Sequence, residues 1–459
     1  MTGRIARGAW SAYAAIAGLM AVLAALKWGQ ALLLNGPVLY GEGAVAHAAI
    51  LARTLATYAD AGGPTFTAAN YPPLYFLLAS IGEPFVTGRL VSVAATVGIA
   101  GLVAWRAWPG GRLVAVTLGL GWIALSPVAI WGPAVKPDLV ALVLTVGAVL
   151  ALERRRAGLA AALLVAAVAT KPTALVPALA LAVWIAWRDR ALLRPFATDA
   201  AIAVAVAAVA LVPFGYAGLW RHVVVWNALP WSAESALLLA FLAVLLLAAL
   251  LGAALISRGF TGPIAAYAAA GVVVVALGGR EGATINYLLD LAAAGSLALA
   301  SVAARVARAP FYPAIAVANL IVAVLVLDPL GIVPGRTATT GAWGDPARLE
   351  TARSALAGDE LVLAEDSGLL VATGHRVVVD DLFLWSRSVA RGTADPAALL
   401  AEVGAARFTA IMSEVDLTQL GAAPAYERAR WEPSLARAIV ERYRLASRSP
   451  GGLFIYRPR

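Results

Sequence analysis

The chain is 459 residues long, with 61% hydrophobic residues, 13% charged ones and a formal net charge of +9 at pH 7. A soluble chain of this length needs far more charge on its surface, and a mean hydropathy of +0.83 excludes one; this is the composition of a protein that crosses a membrane many times. The absence of cysteine excludes disulfides and thiolate metal sites. From Arg336 onward 15 arginines face 15 acids, so the positive excess lies in the membrane part, where it suits orientation and attraction to anionic lipid rather than nucleic acid.

Apolar runs recur at 10–28, 85–105, 113–131, 137–152, 157–169, 173–187, 199–215, 235–257, 262–277, 284–303 and 311–327, each broken by Gly, Pro or charge. They predict about eleven transmembrane helices, several shorter than the ~20 residues that cross a bilayer without thinning it. The runs flanking Thr170-Lys171-Pro172 read as two spans, which the charge distribution favours; one long kinked helix there would invert every later segment. With a cytoplasmic amino terminus, the arginines at 4, 7, 106, 112, 154–156, 188, 190, 194, 258, 305 and 308 collect inside, as the positive-inside rule requires. Glu42, Asp60, Glu83, Asp138, Glu234, Glu281, Asp290 and Asp328 then fall at or near the outer face, which is the chemically equipped one. The first run follows Arg4 and Arg7 without a small-residue cleavage signature, and reads as an uncleaved span.

The first outer loop covers 35–84. From Glu42, the residues Val45, Ala49, Ile50 and Leu55 recur at helical spacing beside polar His47, Arg53, Thr54 and Thr57, which predicts a helix lying along the membrane interface. Glu42 falls in its first turn, where the partial positive charge of a helix N-terminus suits a carboxylate. There it serves as a general base or simply as a capping charge. His47 reads as a packing or hydrogen-bonding residue rather than a metal ligand. Further along, Asp138 stands at the outer mouth of a span or caps it after Pro137. Lys171 and Arg280, at span ends, are cations for an anionic group or snorkel to the interface. His222, on an outer loop with Trp231 nearby, contacts acceptor or headgroups or belongs to an interfacial aromatic belt. Asn286 and Tyr287 follow a glycine-rich turn as hydrogen-bonding groups or as the mere start of a span. Asp290, one turn inside that span, must be paired, with Arg280 the nearest cation in sequence, or face water.

Past Asp328 charge rises and apolar runs shrink to strand length. The membrane domain is expected to end at 334 and an outer-face α/β domain to fill 335–459. The segments 361–364, 376–379, 408–412 and 453–456 read as short buried strands. Residues 395–403, with Asp395 as cap and Pro396 in the first turn, and 433–443 read as helices.

Tyr40-Gly41-Glu42-Gly43, Tyr71-Pro72-Pro73-Leu74-Tyr75, Lys136-Pro137-Asp138, Thr170-Lys171-Pro172-Thr173 and Gly282-Ala283-Thr284-Ile285-Asn286-Tyr287, in that order over residues 1 to about 330, resemble the GT-C superfamily. More narrowly they resemble bacterial family 39 glycosyltransferases, related to protein O-mannosyltransferases and the aminoarabinose transferase of lipid A. The resemblance implies an all-α polytopic protein with a small extracytoplasmic α/β domain, in the cytoplasmic membrane of a bacterium. It implies transfer of one sugar from a polyprenyl phosphate donor to a protein, lipid or glycan acceptor at the outer face.

Glu42 occupies the place of the family's first-loop acid, although many members carry Asp or an acidic pair where Glu42 has two flanking glycines. As base it takes the proton of the acceptor hydroxyl while the anomeric carbon is attacked opposite the phosphate. Asp138 is the candidate second acid, and Lys171 and Arg280 are the candidate donors to the leaving phosphate. His47, Tyr71, Tyr75, His222, Asn286 and Tyr287 are the further substrate-binding candidates. No cofactor is certain; a divalent metal could be held by Glu42, Asp138 and His47 as oxygen and nitrogen ligands, although no recognisable ligand spacing supports it. A transporter or flippase of lipid-linked sugars should show inverted repeats and midplane charges, and a ligase or polymerase a large outer loop late in the chain. Here the conspicuous loop is the first.

Overall fold

A computed structural model describes residues 2–59, 62–330, 346–449 and 452–459, so the domain boundary expected near 335 lies outside the described residues. The helices run in the order α1 (Thr2–Leu33), α2 (Glu42–Ala52), α3 (Leu74–Ala79), α4 (Pro84–Arg106), α5 (Arg112–Ala124), α6 (Ser126–Trp131), α7 (Asp138–Glu153), α8 (Ala157–Val168), α9 (Leu175–Arg188), α10 (Leu193–Leu211), α11 (Tyr216–Trp220), α12 (Ala233–Ile256), α13 (Gly262–Leu277), α14 (Leu289–Ser301), α15 (Ala303–Val306) and α16 (Phe311–Leu327). The apolar runs of the sequence fall largely on these helices, with 113–131 divided between α5 and α6 and residues 284–288 ahead of α14. Four stretches, Arg4–Leu33, Pro84–Arg106, Arg190–Phe214 and Ala233–Ile256, are long and apolar enough to cross a membrane; the other apolar helices are shorter. The residues cluster into two compact units: Met1–Gln30, Arg89–Ala210 and Pro230–Gly341 in one, and Ala31–Gly88, Leu211–Leu229 and Ala342–Arg459 in the other.

The first unit is a helical bundle whose interruptions follow local chemistry. Lys171 precedes Pro172, and the proline ring disfavours the α conformation in the residue before it. Lys171 is accordingly extended, at φ −147° and ψ 127°, and the stretch from 157 to 188 is two helices rather than one kinked helix. Arg154-Arg155-Arg156 turns the chain between α7 and α8. Arg106 pairs there with Glu153 at 3.1 Å and Arg155 with Asp189 at 2.7 Å. Close packing of α13 on α14 depends on Gly271, where a Cβ would lie 3.0 Å from the backbone of Leu291, the small-residue contact usual between apolar helices. Asn319 of α16 donates to the carbonyl of Leu245 at 2.7 Å and accepts from the amide of Ala249 at 3.3 Å, tying it to α12.

The second unit adds α17 (Pro346–Ala355), β1 (Val362–Ala364), α18 (Ser367–Thr373), α19 (Leu382–Ala390), α20 (Ala397–Gly404), β2 (Ala410–Ser413), α21 (Ala425–Arg428), α22 (Pro433–Arg442), β3 (Tyr443–Arg448) and β4 (Phe454–Pro458). Its sheet has the order β1-β2-β4-β3, with β1 and β2 parallel and the other pairs antiparallel. The expected strand at 376–379 does not form; only an isolated bridge joins Val379 to Phe66. β3 was not foreseen, because the exposed edge segment Tyr443–Arg448 carries little apolar pattern. The core draws on distant parts of the chain: Phe66, Ala68 and Trp226 pack with Leu363, Trp385, Phe408 and Trp431.

The first-loop helix departs from its expected surface position. On α2 the residues Glu42 to Ala46, Ala48, Ala49 and Ala52 are buried, and the helix packs on α18 and α3. Gly43 makes this possible, since a Cβ there would collide with the backbone amide of Gly368. The periodicity that suggested an interfacial helix instead seats α2 against the elements around the sheet.

Candidate functional site

In the first unit, three chain breaks bring polar side chains to one point. Asp138 sits in the first turn of α7, Lys171 in the extended break before α9, and Asn286 in the short 3-10 turn that leads into α14. Asp138 Oδ1 accepts from Lys171 Nζ and from Asn286 Nδ2, both at 2.7 Å. The carboxylate is buried, and among the described residues its Oδ2 has no partner at hydrogen-bond geometry. The Lys171 ammonium also lies 5.3 Å from the ring centre of Tyr287. Asp290 takes a hydrogen bond from the hydroxyl of Tyr267 at 3.1 Å, so its partner is Tyr267 rather than Arg280. These groups border a small pocket lined by Asp138, Thr145, Lys171, Thr173, Asn286 and Asp290 among others, with room of about 10 Å³, no more than a water molecule fills. An ammonium has three donors, so beyond Asp138 this one still has donors for an anionic oxygen.

In the second unit the polar residues of the first loop meet the carboxy-terminal segment. Glu42 is fully buried and its Oε2 accepts the amide of Val38 at 2.7 Å. His47 Nδ1 stands 3.0 Å from Asp380 Oδ2. Tyr40 takes a hydrogen bond from the amide of Phe383 at 3.3 Å and reaches Asp381 at 3.5 Å, with the Arg430 guanidinium 3.9 Å from its ring centre. Arg430 pairs with Glu365 at 2.9 Å and Glu414 at 2.5 Å, Trp431 donates to Glu365 at 2.9 Å, and Arg348 pairs with Glu414.

Burial raises the Glu365 carboxyl above its usual range, while Arg348 and Arg430 hold Glu414 below its own despite burial. Asp366 is pushed by burial, and then by Glu414, up to about 7. The folded protein therefore keeps a proton on Asp366 that the unfolded chain releases near ~3.9. Stability from this group is full below that value and lost as pH rises through about 7. Thermal unfolding between pH 4 and 8 should show a decline with pH that Asp366→Asn flattens; equal slopes in the two proteins assign the decline to another group.

The remaining expected residues have structural partners. Tyr75 is buried and donates to the carbonyl of Gly88 at 2.9 Å, and the carbonyl of Tyr71 accepts from Tyr58 at 2.6 Å. His222 is buried rather than presented on a loop; it lies in a single π-helical turn, Arg221–Val225, with its ring 4.3 Å from Trp226 and 5.6 Å from Tyr58. Arg280 joins Trp231 in a backbone bridge. Among the described residues no group of three or more His, Cys, Asp or Glu stands together to hold a metal ion; Asp138 faces Lys171, and His47 faces Asp380. The groups that sequence reasoning missed are Tyr267, Glu365, Asp380, Asp381 and Arg430. The acidic doublet after Val377-Val378-Val379 was the one signal available for two of them.

Two solved structures of ArnT from Cupriavidus metallidurans are similar to this chain in fold. The apo form superposes with a TM-score of 0.55 at 12% identity, covering 95% of this chain and 97% of that one. The chain has the fold of ArnT. A form of ArnT bound to undecaprenyl phosphate gives a TM-score of 0.52 at 13% identity, with the same coverage of 95% and 97%. At such identity the likeness is one of fold, and it agrees with the GT-C resemblance of the motifs. No family model and no curated protein matches the chain.

Proposed function

We propose that the chain transfers a single sugar, with inversion, from a polyprenyl phosphate donor to an acceptor hydroxyl at the outer face of a bacterial cytoplasmic membrane. What carries this reading is the ArnT fold over 95% of the chain, one ArnT structure being bound to undecaprenyl phosphate. The acceptor oxygen bonds to the anomeric carbon as the bond from that carbon to the phosphate oxygen breaks. The acceptor's proton passes to Glu42, and the electron pair of the broken bond goes to the phosphate. Glu42 suits the task because α2 is packed on α18 and α3 and the Val38 amide holds one carboxylate oxygen. Lys171 suits the phosphate, because Asp138, itself held by Asn286, keeps the ammonium in place while spare donors remain. Neutralising a developing dianion with a positioned ammonium in an apolar surround is worth more than the same contact in water.

Mass spectrometry of lipids retained by the gently purified protein tests the reading. A polyprenyl phosphate bearing a sugar should be found, enriched in Glu42→Gln. Ordinary phospholipid alone in both proteins overturns it.

A further inference from the structure

Residues 38–42 make a tight turn at the entry to α2. The Glu42 amide donates to the carbonyl of Leu39 at 3.1 Å, the Glu42 carboxylate accepts the amide of Val38 at 2.7 Å, and Gly41 takes the left-handed conformation at φ 78°. Both feet of the turn meet one glycine: a Cβ on Gly368 would lie 2.6 Å from Pro37, and one on Gly43 would collide with the Gly368 amide. Tyr40 stands at the middle of the turn, two residues before Glu42. What holds the Tyr40 ring therefore fixes the direction of the Glu42 carboxylate.

Arg430 lies against that ring. Its guanidinium carbon is 3.9 Å from the ring centre of Tyr40 and 4.4 Å from that of Tyr426, a cation over two aromatic rings. The Tyr40 hydroxyl holds less firmly, since its contacts with the Phe383 amide and with Asp381, at 3.3 and 3.5 Å, are long for hydrogen bonds. The Arg430 side chain is 1% exposed, and its Nε has no hydrogen-bond partner among the described residues. Burying a guanidinium with one donor unmatched costs stability, and apolar side chains often replace buried ion pairs without loss. Arg430 is thus a poor stabiliser of this core but a good clamp for a ring. Glu365 at 2.9 Å and Glu414 at 2.5 Å set the guanidinium in place. Glu365 is itself fixed by Trp431 at 2.9 Å and Ser413 at 3.0 Å.

We propose that Arg430 is a positioning residue: stacked on Tyr40, it locks the 38–42 turn and so aims the Glu42 carboxylate. That this aim serves proton transfer rests on the transferase reading, whereas the lock itself does not. The carboxy-terminal segment thereby acts on the first loop without touching substrate, which gives the α/β elements a chemical role. Lysine cannot replace Arg430 here, because a compact ammonium lacks the planar face that stacks on a ring.

Hydrogen exchange and transfer kinetics on the full chain in detergent test the lock. Tyr40→Leu removes the ring and leaves Arg430 paired with its carboxylates. Exchange of the 38–42 amides should rise about tenfold, the weight of one desolvated cation–π contact, while α18 and the sheet strands keep their protection. In the same variant kcat should fall about 10–10²-fold, the scale for a reacting group displaced by up to about 1 Å, with donor KM unchanged. Tyr40→Phe, which keeps the ring, should recover both. In a Glu42→Gln background Tyr40→Leu should slow the residual transfer no further.

Native exchange of 38–42 in Tyr40→Leu overturns the lock, as does loosening that spreads to the sheet strands, the mark of a general structural role. Exchange as fast in Tyr40→Phe as in Tyr40→Leu assigns the hold to the hydroxyl and overturns the stacking. A further loss of rate in the Glu42→Gln background overturns action through Glu42. Faster exchange in a protein that never transfers sugar supports the lock and sinks the transferase reading; native exchange with ordinary transfer does the reverse. Should Tyr40→Leu fail to fold, Arg430→Lys carries the test, because it keeps a charge for Glu365 and Glu414 while removing the planar stack. It should loosen 38–42 and lower kcat in the same way, and native values for both overturn the proposal.

Discussion

Glu42→Gln should slow sugar transfer by about 10²–10⁴-fold, the weight of a positioned general base, while polyprenyl phosphate binds as before. The substitution is nearly isosteric, and the amide oxygen can still accept the Val38 hydrogen bond that the carboxylate holds at 2.7 Å, so the seat of α2 survives. What disappears is the capacity to take a proton. A purely structural Glu42 predicts the opposite ranking of variants. Glu42→Gln then transfers at the native rate, while Glu42→Ala, which strands a buried amide, loses about 1–3 kcal/mol of stability. Measuring transfer and thermal stability on both variants separates base from cap, and native-rate transfer by Glu42→Gln removes Glu42 from the mechanism.

The sequence revealed the helices because each is an apolar run ended by a strong local signal. Pro172 explains the extended Lys171, and the arginine triplet the turn between α7 and α8. Where long-range pairing decides, local pattern misleads. Val377-Val378-Val379 has strand composition, yet its neighbour is Phe66, more than 300 positions earlier, and a lone bridge is all that forms. β3 is an exposed edge, and its exposure removes the alternation by which strands are recognised. The helical period of α2 was legible but its environment was not: the same apolar face serves a membrane interface or a protein socket, and the close approach of Gly43 to Gly368 decides for the socket.

The candidate groups follow the same division. Asp138, Lys171 and Asn286 were each legible singly as polar residues at span ends, where each also reads as a cap or a snorkelling charge. Their meeting at 2.7 Å is tertiary information. Asp380 had no local signal to connect it with His47, because the partners are separated by 333 positions.

Removing Lys171 should cost both folding and binding, and the two losses can be told apart. Lys171→Ala leaves the buried Asp138 carboxylate with Asn286 as its remaining hydrogen-bond donor, the circumstance in which breaking a buried pair destabilises by about 3–5 kcal/mol. Replacing both partners, as in Asp138→Leu with Lys171→Met, removes the stranded charge and should recover most of that stability, because apolar side chains of similar size satisfy an apolar bundle well. Activity should not return with stability. If the ammonium receives the donor phosphate, the double variant remains about 10²–10³-fold slower, the range for loss of one positioned electrostatic donor, and its donor KM stays raised. Thermal unfolding in detergent and transfer kinetics on the same preparations supply both numbers. A double variant that regains stability and native kinetics together would make the pair a structural clasp; one that regains stability alone makes Lys171 a substrate-binding group whose charge Asp138 keeps in place.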